Sequence, residues 1–339
     1  MLKELMILKN LGVDGSLINY YVNYFSEEER AQLFNGGAFE LQFKYNLTNG
    51  KHLVVFEDKA KLVATEKMVD NVISRSDAQN IKIISYYDDL YPSNLRFIKN
   101  SPLFLHVKGN LNLLKVNHSI ACVGTRNPSN NTLQLIGDII KGLVKEGMVI
   151  VSGLAKGIDA ISHKECLDNN GRTIAVLAHG LDTIYPKENR TLSERIIEHD
   201  GVLVSEYPIG TNIQRSNFVA RNRIVSGLSQ GLIVFEADEK SGTMHTARYA
   251  YSQGKHIFCP YVAKDNQDLS TGIKKLLESG SAIPITNAKD VLNVLFTKVG
   301  IESSLIKELQ RISYHRNISM EKLINSILEK YIEGEKNNE

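Results

Sequence analysis

Apolar and polar positions alternate in three different textures along this chain. In the first eighty residues they recur at helical spacing, with Leu5, Leu8 and Leu11 on one face. Gly12, Gly15 and the pair Gly36-Gly37 cut that pattern into short helices, and a longer helix is predicted over 61–74. Residues 1–80 therefore read as a small helical N-terminal domain. A strand is predicted over 81–85, followed by the turn-forming run Asp88-Asp89-Leu90-Tyr91-Pro92, and another over 103–107. We read 81–115 as an extended lead-in.

From Ser119 a different rhythm sets in: short apolar run, small-residue loop, helix, repeated. Strands are predicted over 120–123, 149–151, 173–177, 202–204, 232–235 and 256–259. Helices are predicted over 133–146, 158–167, 192–199, after Asn222, and over 243–253 and 273–279. Continuous apolar strands alternating with helices imply a parallel sheet covered on both faces. The expected fold is α/β, a Rossmann-like doubly wound sheet over 116–285. The final stretch, 300–333, reads as a C-terminal module of two amphipathic helices, over 304–315 and 319–332, joined through Asn317 and with Ser319 as an N-cap. The polar tail from Gly334 is expected to lack structure.

Composition narrows the class. With 339 residues, 42% hydrophobic and 23% charged, the chain has the material for a full core and two or three domains. It has no apolar run of bilayer-spanning length, and its start, MLKELMILKN, mixes acid and base as signal peptides do not. A soluble, cytoplasmic protein is expected. Cys122, Cys166 and Cys259 lie far apart without metal-ligand spacing, so neither a metal nor another cofactor is expected. The net charge of +2 does not announce a polyanionic partner, so any such partner needs locally concentrated charge.

That concentration is found in the loops. In a parallel sheet all loops that follow strands emerge on one edge, where ligands bind. The first carries Gly124-Thr125-Arg126, the second Ser152-Gly153-Leu154-Ala155-Lys156-Gly157. The fourth runs from Ser205-Glu206-Tyr207-Pro208 to Phe218 and Arg221-Asn222-Arg223, and the fifth holds Lys240-Ser241-Gly242-Thr243. Glycine lets backbone approach an anion, helix N-termini offer free N–H groups, and the cations complete a phosphate site. One such loop is weak evidence; their agreement on one edge is stronger. The dinucleotide fingerprint is absent, and Lys156 stands where an acid would hold a ribose. Several anchoring points suit several phosphates in a row. Phe218 is either a core side chain or a ring on which a base stacks. Asp159 and His163, four apart on one helix, lack a third ligand or an adjacent nucleophile and read as structural; Glu206 and Glu236 read as holding arginines or backbone amides in place.

At these residues the sequence resembles the DNA-processing protein A family, DprA or Smf. The resemblance is carried by Val123-Gly124-Thr125-Arg126, SGLAKGIDAISH (152–163), GRTIAVLAHGLDTIYPKENR (171–190), Ser205-Glu206-Tyr207-Pro208, NFVARNRIVSGLS (217–229) and EADEKSGTMHTA (236–247). It implies a non-enzymatic protein that binds single-stranded DNA, hands it to a RecA-type recombinase during natural transformation and recombination, and forms a homodimer. It matches Arg126 to the arginine of the first DNA-contacting loop and Lys156 to the basic residue of the second. Phe218, Arg221, Asn222 and Arg223 match the aromatic-then-RNR element, and Ser241-Gly242-Thr243 the phosphate-facing turn. Thr125 stands where serine is commoner, Val219 where proline is, and Lys274 where the family has asparagine; Lys274 joins the candidate set. No C-terminal winged helix is evident, and the last two helices are closer to the helical part of a ribbon-helix-helix module. Two rivals stay open. One is a nucleotide phosphoribohydrolase of the same fold superfamily, although Lys240-Ser241-Gly242-Thr243-Met244-His245-Thr246 lacks that signature's two prolyl-glycyl positions and its glutamate. The other is a nucleotide-sensing module.

Overall fold

The computed structural model describes residues 1–46, 54–261, 269–296, 303–316 and 318–336. Its contacts divide it into two units, Met1–Leu292 and Asn293–Glu339.

The first unit opens with five helices: α1 (Leu2–Asn10), α2 (Gly15–Asn23), α3 (Glu27–Phe34), α4 (Ala38–Tyr45) and α5 (Lys59–Ala78). Local chemistry starts them. Asp14 and Asp58 accept from the amides of Leu17 and Lys61, and Ser26 with Glu29 forms a capping box. Their apolar faces close over Leu5, Leu8, Tyr21, Leu33, Phe56 and Val69, a cluster that also takes in Phe104. Phe104 belongs to the sheet, so the helical layer and the sheet share a core.

The stretch read as a lead-in is itself part of the sheet. After β1 (Lys82–Ser85) and α6 (Ser93–Arg96) comes β2 (Phe104–Gly109), which pairs antiparallel with β1 and with β6 (Val202–Ser205). The alternating region then gives β3 (Ser119–Val123), α7 (Asn130–Lys145), β4 (Val149–Ser152), α8 (Ile158–Asp168), β5 (Thr173–Leu177) and α9 (Arg190–Glu198) before β6. After β6 come α10 (Arg215–Gly227), β7 (Gly231–Val234), α11 (Thr243–Ser252), β8 (His256–Pro260), α12 (Thr271–Glu278), β9 (Ile283–Ile285) and α13 (Ala288–Leu295). The sheet is mixed and mostly parallel, ordered β1-β2-β6-β5-β4-β3-β7-β8-β9. Ile120, Ala121, Cys122, Ile150, Val151, Leu232 and Ile233 are all fully buried, as a sheet covered on both faces requires. Cys122, Cys166 and Cys259 are free buried thiols.

The doubly wound expectation holds, and the order locates its consequence. The chain runs outward from β3 through β4, β5 and β6, then returns to β3's other side with β7. The switch point therefore lies between the C-terminal ends of β3 and β7, where neighbouring loops diverge and leave a crevice.

In the second unit, α14 (Ser303–Arg316) packs on α15 (Met320–Lys336), with Leu309 and Leu323 buried. Ser319 does cap: its hydroxyl accepts from the Lys322 amide at 3.2 Å. The second helix runs through Gly334 to Lys336, where an unstructured tail was expected. Asn317 and the last three residues lie outside the described residues.

Candidate nucleic-acid interface

A hollow of about 720 Å³ opens over the switch point. Its walls come from the loop after β3 (Gly124, Thr125, Arg126), the start of α11 with the residues before it (Lys240, Ser241, Gly242, Thr243, His245), and α10 (Arg215, Phe218, Arg221, Asn222). Loops far apart in sequence are tied together here. The Thr125 amide donates to the Glu236 carbonyl at 2.8 Å, and the Thr243 hydroxyl to the Gly124 carbonyl at 3.0 Å. Glu236 holds the Ser129 amide at 2.9 Å and so fixes the exit of the β3 loop, the backbone-holding role read from sequence.

Helix α10 decides which residues of the aromatic-then-RNR element face the hollow. Sequence reading placed the helix after Asn222; it starts eight residues earlier, at Arg215, because Gln214 gives no side-chain cap to mark the start. Phe218, Arg221 and Asn222 are thus three and four residues apart on one helical face, with Arg215 a turn earlier. Phe218 is half-buried and lines the hollow rather than joining the core. Arg215 was missed by sequence reasoning; it is exposed and lines the same wall, and the helical spacing to Phe218 is the signal that could have found it.

The cations sort into two kinds. Arg126, Arg215 and Lys240 are exposed and enter no ion pair among the described residues. Arg221 and Arg223, by contrast, are buried. The Arg221 guanidinium donates to the Gly153 carbonyl at 2.7 Å and to the Val176 carbonyl, and its Nε to Asn222 Oδ1 at 3.2 Å. Arg223 donates to Glu206 at 2.6 Å and to the carbonyls of Asn100 and Ala220. Desolvation explains why: a buried guanidinium must have every N–H matched, so these two arginines fasten elements together. Arg223 lines neither hollow and Arg221 floors the larger one, so neither is the exposed cation that its place in the chain suggested.

Ser152 and Gly153 also lie beneath the surface. The Ser152 hydroxyl donates to the Cys122 carbonyl at 2.6 Å, and a Cβ at Gly153 would collide with the Arg221 guanidinium. Gly157, at φ +77°, lets the β4 loop press against the backbone of Thr125 and Arg126, where a side chain would collide. The glycines of this loop make room for neighbouring protein. Lys156 is exposed but occupied: its ammonium meets Glu188 at 2.6 Å. Lys274 lines neither hollow and sits 3.8 Å from Glu278 on the exposed face of α12.

The first turn of α11 presents its N-terminal end to the hollow. Beside it the Ser241 hydroxyl is shielded from solvent without a hydrogen-bond partner among the described residues. Asp159 is largely buried and accepts from the Gly153 amide at 3.2 Å. Burial pushes its carboxyl above the usual range in spite of the Arg221 charge nearby. His163 is fully buried with Nδ1 2.6 Å from the Thr173 hydroxyl. Burial holds its pKa down to about 3. Both side chains are thus engaged inside the fold.

A second hollow, of about 230 Å³, adjoins the first and is lined by Arg126, Ala155, Lys156, Tyr185, Pro186 and Phe218. Tyr185 was also missed. It follows β5 in the loop before α9, and its ring meets Phe218 edge to face, with centroids 5.7 Å apart.

Fold and site together define a Rossmann-type α/β protein whose switch-point crevice carries exposed cations, a helix N-terminus and aromatic rings. The comparison with known sequences is specific: the sequence model of the family described as DNA recombination-mediator protein A matches residues 82–296, and the chain belongs to that family. It is 36% identical over 264 residues to the DNA processing protein DprA of Bacillus subtilis (strain 168), covering 74% of this chain and 86% of the relative. It is 40% identical over 225 residues to DprA of Streptococcus pneumoniae (strain ATCC BAA-255 / R6), covering 66% and 78%. The X-ray structure of S. pneumoniae DprA superposes with a TM-score of 0.62 at 33% identity, over 79% of this chain and 98% of that one. A structure of DNA processing protein A from Helicobacter pylori, described for its single-stranded DNA binding mode, gives 0.57 at 33% identity, over 63% and 95%. No described helix is long and apolar enough to cross a membrane.

Proposed function

We propose that this chain binds single-stranded DNA in the switch-point crevice and acts as a recombination mediator. It would cover exposed or incoming strands and pass them to a RecA-type recombinase, working in the cytoplasm as a homodimer and without catalysis. The observation that carries the reading is that Phe218 lines both hollows together with exposed cations: Arg126 lines both, Lys156 the smaller, and Arg215 and Lys240 the larger. Rings for bases flanked by point charges for phosphates are what a sequence-tolerant strand binder needs. The α11 N-terminus and the unpartnered Ser241 hydroxyl add donors for a phosphate. The DNA-contacting set is then Gly124, Arg126, Lys156, Arg215, Phe218, Asn222, Lys240, Ser241, Gly242 and Thr243, with Arg221 as the floor beneath them.

The phosphoribohydrolase reading gains nothing from the geometry. Among the described residues lining the larger hollow the one carboxylate is Asp159, and its oxygen holds the Gly153 amide. The test is a binding titration at stated salt with single-stranded DNA, duplex of equal length, and free nucleotides. Single strands should bind tightest; a preference for duplex, or release of base from AMP, would overturn the proposal.

A further inference from the structure

Two hollows share one aromatic partition. Tyr185 and Phe218 line both, and their rings meet at 67° with centroids 5.7 Å apart. Tyr185 is 43% exposed, a large ring left in water between the half-buried Ile184 and the buried Pro186. The smaller hollow is walled by these rings and Pro186, with Lys156 and Arg126 at its margin. Arg126 also lines the larger hollow, so one cation serves both sides of the partition.

Aromatic walls with cations at the margin fit a flat apolar base whose own phosphates run past its edge. Such a niche on each side of a partition fits two neighbouring bases that have been parted. We infer that the Tyr185–Phe218 pair is a wedge between successive bases of a bound single strand. One base lies in the smaller hollow against Tyr185 and Pro186, its neighbour lies against Phe218 in the larger one, and the phosphate joining them passes Arg126. This rests on the reading that the crevice binds single strands, and it adds to that reading a mechanism of selection. Bases in a duplex are paired and stacked on both sides, so parting two of them costs pairing and stacking that a single strand does not have to give up. The wedge thus rejects duplex by shape, with no sequence preference, because every base has a face to stack.

The test uses the full chain, an oligodeoxythymidylate of about 16 nucleotides, and Tyr185→Ala, Tyr185→Phe and Arg126→Ala. Tyr185→Ala should bind roughly 5- to 150-fold more weakly with an unchanged salt slope, as loss of one stacked base predicts. Tyr185→Phe should restore the affinity, because the ring and not the hydroxyl is used. In the wild-type protein, an oligonucleotide carrying 5-iodouracil should photocrosslink to the peptide containing Tyr185, a readout that does not depend on any variant folding. If Tyr185→Ala binds like wild type while Arg126→Ala is weakened, or the crosslinks miss that peptide, the wedge is wrong and the strand site stands. If neither variant loses affinity, the strand site itself is wrong, and the wedge falls with it.

Discussion

Arg221 donates to the Gly153 carbonyl at 2.7 Å, across 68 residues of sequence. Together with its bond to the Val176 carbonyl, this fastens α10 to the ends of β4 and β5, directly beneath the crevice. The position therefore governs the shape of the site rather than its charge. Arg221→Ala takes the guanidinium donor from two buried carbonyls and removes the charge facing Asp159. A loss of about 2–5 kcal/mol of stability is expected, read by urea denaturation. Arg221→Lys should not restore it, since an ammonium cannot reproduce the guanidinium fork. Protein that remains folded should keep the wild-type salt slope for single strands.

In the proposed strand site, Glu188 would compete with DNA for Lys156. The two charges are both exposed and 2.6 Å apart at the margin of the smaller hollow. Glu188→Gln should release the ammonium and remove a carboxylate from the strand's path. Single-strand affinity should rise roughly 2- to 5-fold, with a steeper dependence on salt. Fluorescence anisotropy across a salt series checks this; weaker binding by the variant would assign Glu188 a positioning role instead.

Acid should destabilise the fold through its buried histidines. His163 is held at about 3 and His106 at about 4 by burial, both below the ordinary 6.5. Between those values the unfolded chain binds protons that the folded one does not. The stability contributed by each neutral ring is complete above about pH 6.5 and is lost as pH falls toward the folded value. The slope per ring approaches about 1.4 kcal/mol per pH unit. Asp159, raised by burial, acts in the opposite sense. Comparing wild type with His163→Asn in urea at pH 7.5 and 5 isolates the histidine: the variant should lose less stability on acidification.

The C-terminal unit should be dispensable for strand binding, because the residues lining both hollows lie before Leu292. A chain ending at Leu292 whose circular dichroism shows it folded should bind single strands as the full chain does. Loss of binding would assign the last two helices a DNA contact.

Much of this was legible from residue order alone. The repeating strand–loop–helix texture implied the doubly wound sheet, and hence the edge where ligands bind. Arg126, Lys240 and Gly242 reach the hollow as loop position suggested. What the sequence hid was direction. Arg223 sits one residue past Asn222, and only the phase of α10, set by its start at Arg215, turns it from the hollow toward Glu206. Gly153 resembles an anion loop but makes room for a guanidinium. Tyr185 escaped notice because its partner, Phe218, is 33 residues away and the pairing exists only once β5 and α10 are adjacent. β1 and β2 looked like a lead-in because only the long-range, antiparallel pairing of β2 with β6 joins them to the sheet.

The central claim is that exposed cations around the switch point neutralise phosphates of a single strand. It is tested most directly by the salt dependence of binding in Arg126→Ala, Arg215→Ala and Lys240→Ala. All three side chains are exposed and enter no ion pair among the described residues, so melting temperature should not move. Removing one phosphate-neutralising cation should lower the slope of log affinity against log salt by roughly 0.7 and weaken binding at low salt. Phe218→Ala should weaken binding with the slope unchanged. Three charge variants with wild-type affinity and slope would place the DNA elsewhere on the protein.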